Sequence, residues 1–395
     1  AIVIKNGMKK IINSSIILLI LFICLERFTF YSFKTLIPFY LANKIGLHSY
    51  TTDWIFGYIR LLTFCSYIIS AILIDRVRLF RNLKIYFIPI LLALFLCVFN
   101  STATIFIGIS LLVLTSKLIA INVFVKIFES FDTDTPFDDR LYLLIILAIN
   151  VFSALSTIIF GIVGFSRFIN LAFSLSNIII WIVFGILFFK FYKNEEKPKT
   201  EFVDNHIFSQ SFLILGMCFL GFVIFYLLDS RFSAIRDKVA SSDSIISTLY
   251  FIPFSLAFLI GIFFLFVKRF SAISKIILGL ILLSIEGLFI YFLNFYINNI
   301  HTFSLIFDSV SNAMELIITP SILALIIINS KIELKATMLS LFYILLYAIE
   351  YINAYLLKIN LGSMIIISEL ILFGLFYLVL RYKRLSKDKK LIIER

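Results

Sequence analysis

Arg27, Tyr31 and Lys34 recur at i, i+4 and i+7, a spacing that puts two cations and a phenol on one face of a helix. Asp308, Asn312, Glu315 and Thr319 form a longer row at i, i+4, i+7 and i+11, and Pro320 follows at once. A proline there frees a backbone carbonyl and permits a kink. Tyr343, Tyr347 and Glu350 make a third row. All three rows sit inside strongly apolar runs. An ionisable side chain at membrane depth costs about 2.5–3.5 kcal/mol on insertion scales, so it marks a pathway or a site. Sorted along the chain, the in-span charges are Glu26, Arg27, Lys34, Arg60 and Lys117, then Asp229, Glu286, Asp308, Glu315, Glu350 and Glu369. The cations all fall in the first half, and every acid but Glu26 in the second. Two halves facing each other would enclose a cavity with one positive and one negative wall. Such a cavity matches a zwitterion, carboxylate toward the first half and amine toward the second. Glu286 and Glu369 have no polar row around them and read as interfacial groups or structural ion pairs. The same reading is preferred for Arg60, Lys117 and Glu350, and a functional one for Arg27 and Glu315.

The elements that carry these groups follow from composition. Of 395 residues, 62% are hydrophobic, 17% aromatic and 15% charged. A soluble domain carries roughly 45–50% apolar and about 25% charged residues. No water-facing surface can be built from such a chain, which excludes a cytosolic enzyme, a nucleic-acid binder and a secreted disulfide scaffold. The expectation is an all-α membrane protein. A crossing helix needs about 20 mostly apolar residues. Twelve such segments can be placed, near 14–42, 54–74, 83–100, 104–127, 141–163, 168–191, 208–229, 245–267, 272–295, 302–328, 336–357 and 362–381. The runs are too long for barrel strands and lack their alternation. The longest polar connection separates spans six and seven. The predicted organisation is therefore a six-helix bundle over 1–191, a cytoplasmic linker over 192–207 and a second six-helix bundle over 208–395, a layout suited to two bundles rocking about a central site. Lys5 to Lys10 followed by Ile11 to Cys24 mimics a signal peptide. Without a small-residue cleavage site after it, the segment predicts span 1.

Net charge is +12. With the N-terminus inside, most of the 35 Lys and Arg lie in inside segments, and only Lys44, Arg167, Arg231, Arg236, Lys238 and Lys358 lie outside. By the positive-inside rule both termini are cytoplasmic. The expected location is a bacterial inner membrane.

Leu25-Glu26-Arg27-Phe28-Thr29-Phe30-Tyr31 resembles the E-x-x-E-R-F-x-Y-Y signature of the proton-dependent oligopeptide transporter family, a branch of the major facilitator superfamily. Lys34 falls where that family has a second arginine. Asp75-Arg76 and Arg81 are similar to its A-D-R…G-R-R loop, and Ala148-Ile149-Asn150 to its I-N-x-G. Phe225 to Ser230 resembles its aromatic–acid–Gln segment, with Asp229 at the acid. Glu315-Leu316 with Pro320 resembles its E-L-x-x-S/T-P. The motifs run in order over nearly the whole chain. The resemblance implies the major facilitator fold, twelve helices in two bundles with alternating access, and di- and tripeptides as substrates imported with protons. It implies that Arg27 and Lys34 hold the peptide carboxylate, Tyr31 lines that pocket, Asn150 bonds the peptide backbone and Glu315 takes the amino group. Glu26 and Asp229, with Glu315, would be proton or gating carboxylates. No cofactor beyond the proton gradient is expected. The expected partners are small peptides, protons and lipid, with no nucleic acid, and the expected state is a monomer. The chain departs from the pattern at Ile23 (a glutamate in the family), Ala120 (a lysine), Ile252 (an asparagine), and Ser70 and Ala71 (loop glycines). In the family the groups missing at 23 and 120 interact with each other, so their joint loss leaves no orphan buried charge. Lys117, one turn before Ala120, is a candidate substitute.

Other constellations are weaker. Asp132, Asp134, Asp138 and Asp139 resemble half of a prenyltransferase magnesium site, which needs two such loops, so a solvated loop is preferred. His48, His206 and His301 have no partners at ligand spacing. Cys24, Cys65, Cys97 and Cys218 read as small buried hydrophobes. Besides a peptide transporter, the open readings are a carrier for an amino acid or other small zwitterion or anion, a membrane enzyme of the prenyltransferase kind, and a degenerate relic without transport.

Overall fold

Backbone groups at membrane depth find no water, so long apolar runs satisfy them internally as helix. The computed structural model describes residues 14–45, 49–99, 101–129, 140–163, 167–192, 259–265, 271–282, 300–330 and 334–356, with isolated positions at 216, 285, 374 and 377. Among the described residues there are helices and no strand. In chain order they are α1 (Ser14–Ile45), α2 (Ser49–Arg76), a single turn (Arg78–Arg81), a 3-10 turn (Leu83–Tyr86), α3 (Phe87–Val98), α4 (Thr102–Glu129), α5 (Arg140–Val163), α6 (Arg167–Phe191), α7 (Ala272–Leu282), α8 (Ile300–Asn329) and α9 (Lys335–Leu356). They coincide with the first six expected spans, part of the ninth, the tenth and the eleventh. Apart from the isolated positions 216, 374 and 377, spans seven and twelve lie outside the described residues, and of the eighth only the helical stretch 259–265 lies within them. Ser14–Lys34, Gly57–Arg76, Thr102–Glu129 and Leu171–Phe191 are each long and apolar enough to cross a bilayer. The chain is a multi-pass membrane protein.

Two compact units divide the chain. The first takes in Ala1–Phe137, Ala148–Glu201 and Ile332–Leu341, the second Asp138–Leu147, Phe202–Lys331 and Phe342–Arg395. In the first unit α4 is the hub, packed by α1, α2 and α3, while α3 also packs on α6. Residues Thr115 to Ile127 of α4 are buried all round, as a central helix must be. Gly108 lets α3 approach closely, since a Cβ there would lie 2.9 Å from the Ala93 carbonyl and from Cys97 Sγ. Phe22, Phe87, Trp181 and Phe188 join α1, α3 and α6 in one aromatic cluster, with ring centroids 5.0–5.6 Å apart. Leu61, Cys65, Ile68 and Ile72 share the exposed face of α2. Cys65 therefore differs from the buried reading, because helical period places it on the outer side. Cys24 and Cys97 are buried as expected, and Cys218 lies outside the described residues.

Hydroxyl side chains inside these helices turn back on their own backbone. Ser32 donates to the Phe28 carbonyl at 2.6 Å, Thr63 to Ile59 at 2.8 Å, Ser70 to Ser66 at 2.7 Å and Thr115 to Leu111 at 2.7 Å. In the second unit Ser321 donates to Ile317 at 3.0 Å. Each satisfies its hydroxyl without a partner helix. In that unit α8 carries Pro320 in its interior, and Gly279 of α7 leaves room for Ile318 and Met314.

Candidate functional site

The motif run Leu25 to Tyr31 lies in the middle of α1, and its charges face inward. Glu26 is 1% exposed and Arg27 7%. A buried charge is tolerated only when paired. Arg27 Nε lies 2.9 Å from Glu26 Oε2, and its guanidinium donates to the Ser116 carbonyl of α4 at 3.5 Å. Glu26 Oε1 is buried with no hydrogen-bond partner. Oε2 likewise makes no hydrogen bond, so the carboxylate is met by the Arg27 ion pair through charge.

Lys117 of α4 closes the group. It is buried rather than snorkelling to an interface, because two aromatic faces hold its ammonium. Nζ stands 4.3 Å from the Phe30 ring centroid and 5.7 Å from that of Tyr67 on α2. Arg27 Cζ is 5.7 Å from the same Phe30 centroid. Two helices, α1 and α4, thereby bring two cations to one aromatic ring, with Glu26 paired to Arg27, while α2 adds the second ring. Lys34 is half-buried one turn further along, with Nζ 5.6 Å from the Tyr31 centroid. Arg27 and Lys117 outnumber Glu26, and in a low-dielectric setting that surplus attracts an anionic group such as a carboxylate. Ile23 and Ala120, the departures from the family pattern, are both buried. Arg60, by contrast, is exposed on α2.

The loop residues Asp75, Arg76 and Arg81 occupy the far end of the same unit. Arg81 Nε donates to the Ile74 carbonyl at 3.1 Å, folding the α2–α3 connection on itself. Phe80 O accepts from Tyr86 Oη at 2.5 Å and from Asn122 Nδ2 of α4 at 2.7 Å. Arg76 is exposed. The half-buried Asp75 carboxylate accepts from the backbone N–H of Ala336 at 3.2 Å and of Thr337 at 2.6 Å. The first amides of a helix have no partner within it, and a carboxylate there also meets the positive end of the helix dipole. Thr337 Oγ1 adds a bond to the Ala71 carbonyl at 3.0 Å. Lys335 Nζ sits 3.5 Å from the Phe128 ring centroid. The start of α9 is thus tied to α2 and α4 within the first unit.

The remaining expected residues are placed less densely. Asn150 is half-buried on α5. Glu315 is half-buried on α8 in the second unit, one turn before Thr319, whose hydroxyl is buried with no hydrogen-bond partner. Asp229, Glu286 and Glu369 lie outside the described residues, as do the side chains of Asp308, Asn312 and Glu350. The aspartate-rich loop at 130–139 also lies outside them, apart from Arg140 at its end. Among the described residues no cluster of His, Cys, Asp and Glu could hold a metal.

Two features were not anticipated from the sequence. Phe30 and Tyr67, the aromatic seats of Lys117, look like any other ring in an apolar run. Thr29 is the hub of a buried triad: it donates to Asn177 Oδ1 at 3.0 Å and accepts from Trp181 Nε1 at 3.0 Å, joining α1 to α6. A signal for it was available, because Ser174, Asn177 and Trp181 form a row at i, i+3 and i+7 on span six.

No protein-family model matches the chain, and no curated protein matches its sequence. Solved structures do match in shape. A peptide transporter POT in complex with sulfate superposes with a TM-score of 0.57 at 15% identity, covering 95% of each chain. A POT family transporter in complex with a thioalcohol-conjugated peptide gives 0.60 at 14% identity, over 94% of this chain and 96% of that one. A bacterial homologue of the iron transporter ferroportin, in an outward-facing state, gives 0.67 at 12% identity, over 94% and 100%. At such identities the likeness is one of fold: this chain has the major facilitator fold.

Proposed function

We propose that the chain is a proton-coupled secondary transporter of di- and tripeptides, a divergent relative of the oligopeptide transporters, working by alternating access. The observation that carries this reading is the buried group of Glu26, Arg27 and Lys117 around Phe30. It is held in a fold shared with solved peptide transporters and built on a motif resembling theirs. Arg27 and Lys34, joined by Lys117, hold the substrate carboxylate, and Tyr31 lines its seat. Asn150 bonds the peptide backbone, and Glu315 receives the amino group from the second bundle. The bundles are 1–191 and 208–395, linked by 192–207, with both termini on the cytoplasmic side of a bacterial inner membrane.

Coupling follows from charge balance. With the site empty, Glu26 neutralises Arg27. When Glu26 takes a proton, Arg27 loses its counter-charge and accepts the substrate carboxylate in its place. Proton and carboxylate entering together leave the net charge of the group of Glu26, Arg27 and Lys117 unchanged, whereas either alone shifts it by one. Asp229 and Glu315 respond to protons in the second bundle by the same logic. Asp75, Arg76 and Arg81 serve the gate at the α2–α3 end.

A second reading is a carrier for an amino acid or another small zwitterion or anion. The apolar Ile23 and Ala120 favour it, because they remove two polar groups that the resemblance would supply. Uptake of labelled di-alanine into vesicles holding the purified chain, with and without an imposed pH gradient, tests both. Gradient-driven uptake is expected. Uptake of an amino acid with none of di-alanine would establish the second reading instead.

A further inference from the structure

An open groove of about 610 Å³ runs between α3 and α6 on the outer side of the first unit. Phe87 and Leu91 form one wall, and Ile182, Ile186 and Phe189 the other, with the fully buried Trp181 beneath. Gly185 keeps the groove deep. A Cβ there would lie 3.2 Å from two carbons of the Phe87 ring and would push that ring a few tenths of an ångström away from α6. Ile186 is 65% exposed and Phe189 52%, so these walls face lipid. Trp181 to Lys190 spans about 13 Å of helix axis, nearly the depth of one hydrocarbon leaflet.

Charge sits at one end only. Lys190 closes the groove there. Lys84, just before α3, reaches the same rim, where its Nζ donates to the Phe189 carbonyl at 3.5 Å and lies 5.4 Å from the Phe189 ring centroid. Among the described residues, neither groove lysine is ion-paired with a carboxylate. An apolar channel one leaflet deep, capped by two cations at its interfacial end, has the shape and charge of a lipid with an anionic head.

We propose that the α3–α6 groove binds one anionic phospholipid, with an acyl chain along Phe87, Ile186 and Phe189 and the phosphate at Lys84 and Lys190. A zwitterionic lipid fills the same channel, but its own cation competes with the lysines for the phosphate. Each lysine near an anionic surface adds about fivefold in affinity. This site is independent of the substrate reading.

Trp181 is a built-in reporter, and the chain's other tryptophan is Trp54. The full chain carrying Trp54→Phe is placed in phosphatidylcholine vesicles, with brominated phosphatidylglycerol or brominated phosphatidylcholine added at equal mole fractions. Brominated phosphatidylglycerol is expected to quench Trp181 at a mole fraction at least fivefold lower, and Lys84→Gln with Lys190→Gln is expected to abolish that difference. Equal quenching by the two lipids in the chain that keeps both lysines means ordinary boundary lipid only and overturns the proposal. So does a preference that survives the double lysine change. Native mass spectrometry of the chain with both tryptophans, with and without the lysine changes, gives a second readout. Retained phosphatidylglycerol in excess of phosphatidylcholine, lost with the lysines, is expected, and equal retention overturns the proposal.

Discussion

Asp75→Ala removes the carboxylate that holds the first amides of α9. The two bonds lost, at 2.6 and 3.2 Å, are charge-assisted, a class that contributes about 1.5–3 kcal/mol each when well enclosed. Asp75 is only half-buried, and the 3.2 Å bond is long, so the sum is set at about 2–3 kcal/mol. Tenfold per 1.4 kcal/mol turns this into roughly 30- to 140-fold faster amide exchange at Ala336 and Thr337 if the bonds limit opening. Asp75→Asn keeps one acceptor oxygen and loses the charge, so about fivefold is expected. Hydrogen exchange with mass spectrometry, read on a peptide covering 332–341 in purified protein, measures this directly. The Thr337 side-chain bond to Ala71 does not involve the carboxylate, so Thr337→Val should add its own, smaller acceleration. Exchange at Ala336 and Thr337 unchanged by Asp75→Ala would refute the capping argument. An equally large acceleration spread over α4 and α6 would refute its locality. The consequence is mechanical, because residues beyond 341 of this helix belong to the second unit. In the transport reading proposed above, this carboxylate is one of the groups assigned to the gate.

Further expectations concern the interior. Glu315→Gln should abolish gradient-driven di-alanine uptake, and unchanged uptake removes the role assigned to Glu315. Lys117→Gln should raise the KM for a carboxylate-bearing substrate by about tenfold or more, the scale of one charge-assisted bond, with Lys117→Arg partly rescuing it. Equal KM values in competition uptake would make Lys117 a structural group. Thr29→Val strands the Trp181 N–H and the Asn177 carbonyl oxygen, and should cost about 1–3 kcal/mol in denaturant unfolding; Thr29→Ser should cost far less. Gly108→Val presses a side chain onto the Ala93 carbonyl and Cys97, and should destabilise by about 1–3 kcal/mol or more.

The crossing helices were legible because bilayer thickness dictates their length. Expected spans 104–127 and 168–191 stand against Thr102–Glu129 and Arg167–Phe191. Apolarity starts the third span at 83, whereas α3 proper begins at Phe87 after a 3-10 turn. Asn82 accepts from the Lys84 N–H, and Pro89 falls in the first turn, where proline is tolerated. Apolarity alone does not register such a change of helix type. In the site, charged residues announced themselves, since Glu26, Arg27 and Lys117 are rare in such runs. What they touch did not. Phe30 and Tyr67 are aromatic residues among many, in a chain with 47 phenylalanines and 18 tyrosines. The partners of Asp75 are backbone amides, which carry no residue signature. From its position alone Lys117 reads as an interfacial group or a member of a structural ion pair. Its burial follows from rings on two other helices, a three-dimensional fact.

The hydroxyls of Ser32, Thr63, Ser70 and Thr115, spent on carbonyls of their own helices, bear on how such a chain enters a bilayer. A segment emerging from the ribosome is judged one at a time, before its neighbours exist to offer bonds. Serines that have already quieted themselves present little but carbon to the lateral gate of the insertion machinery. Hydroxyl letters that look costly on paper then weigh little at the moment of partitioning, which leaves Glu26, Arg27, Lys34, Arg60 and Lys117 as the costly side chains of these segments.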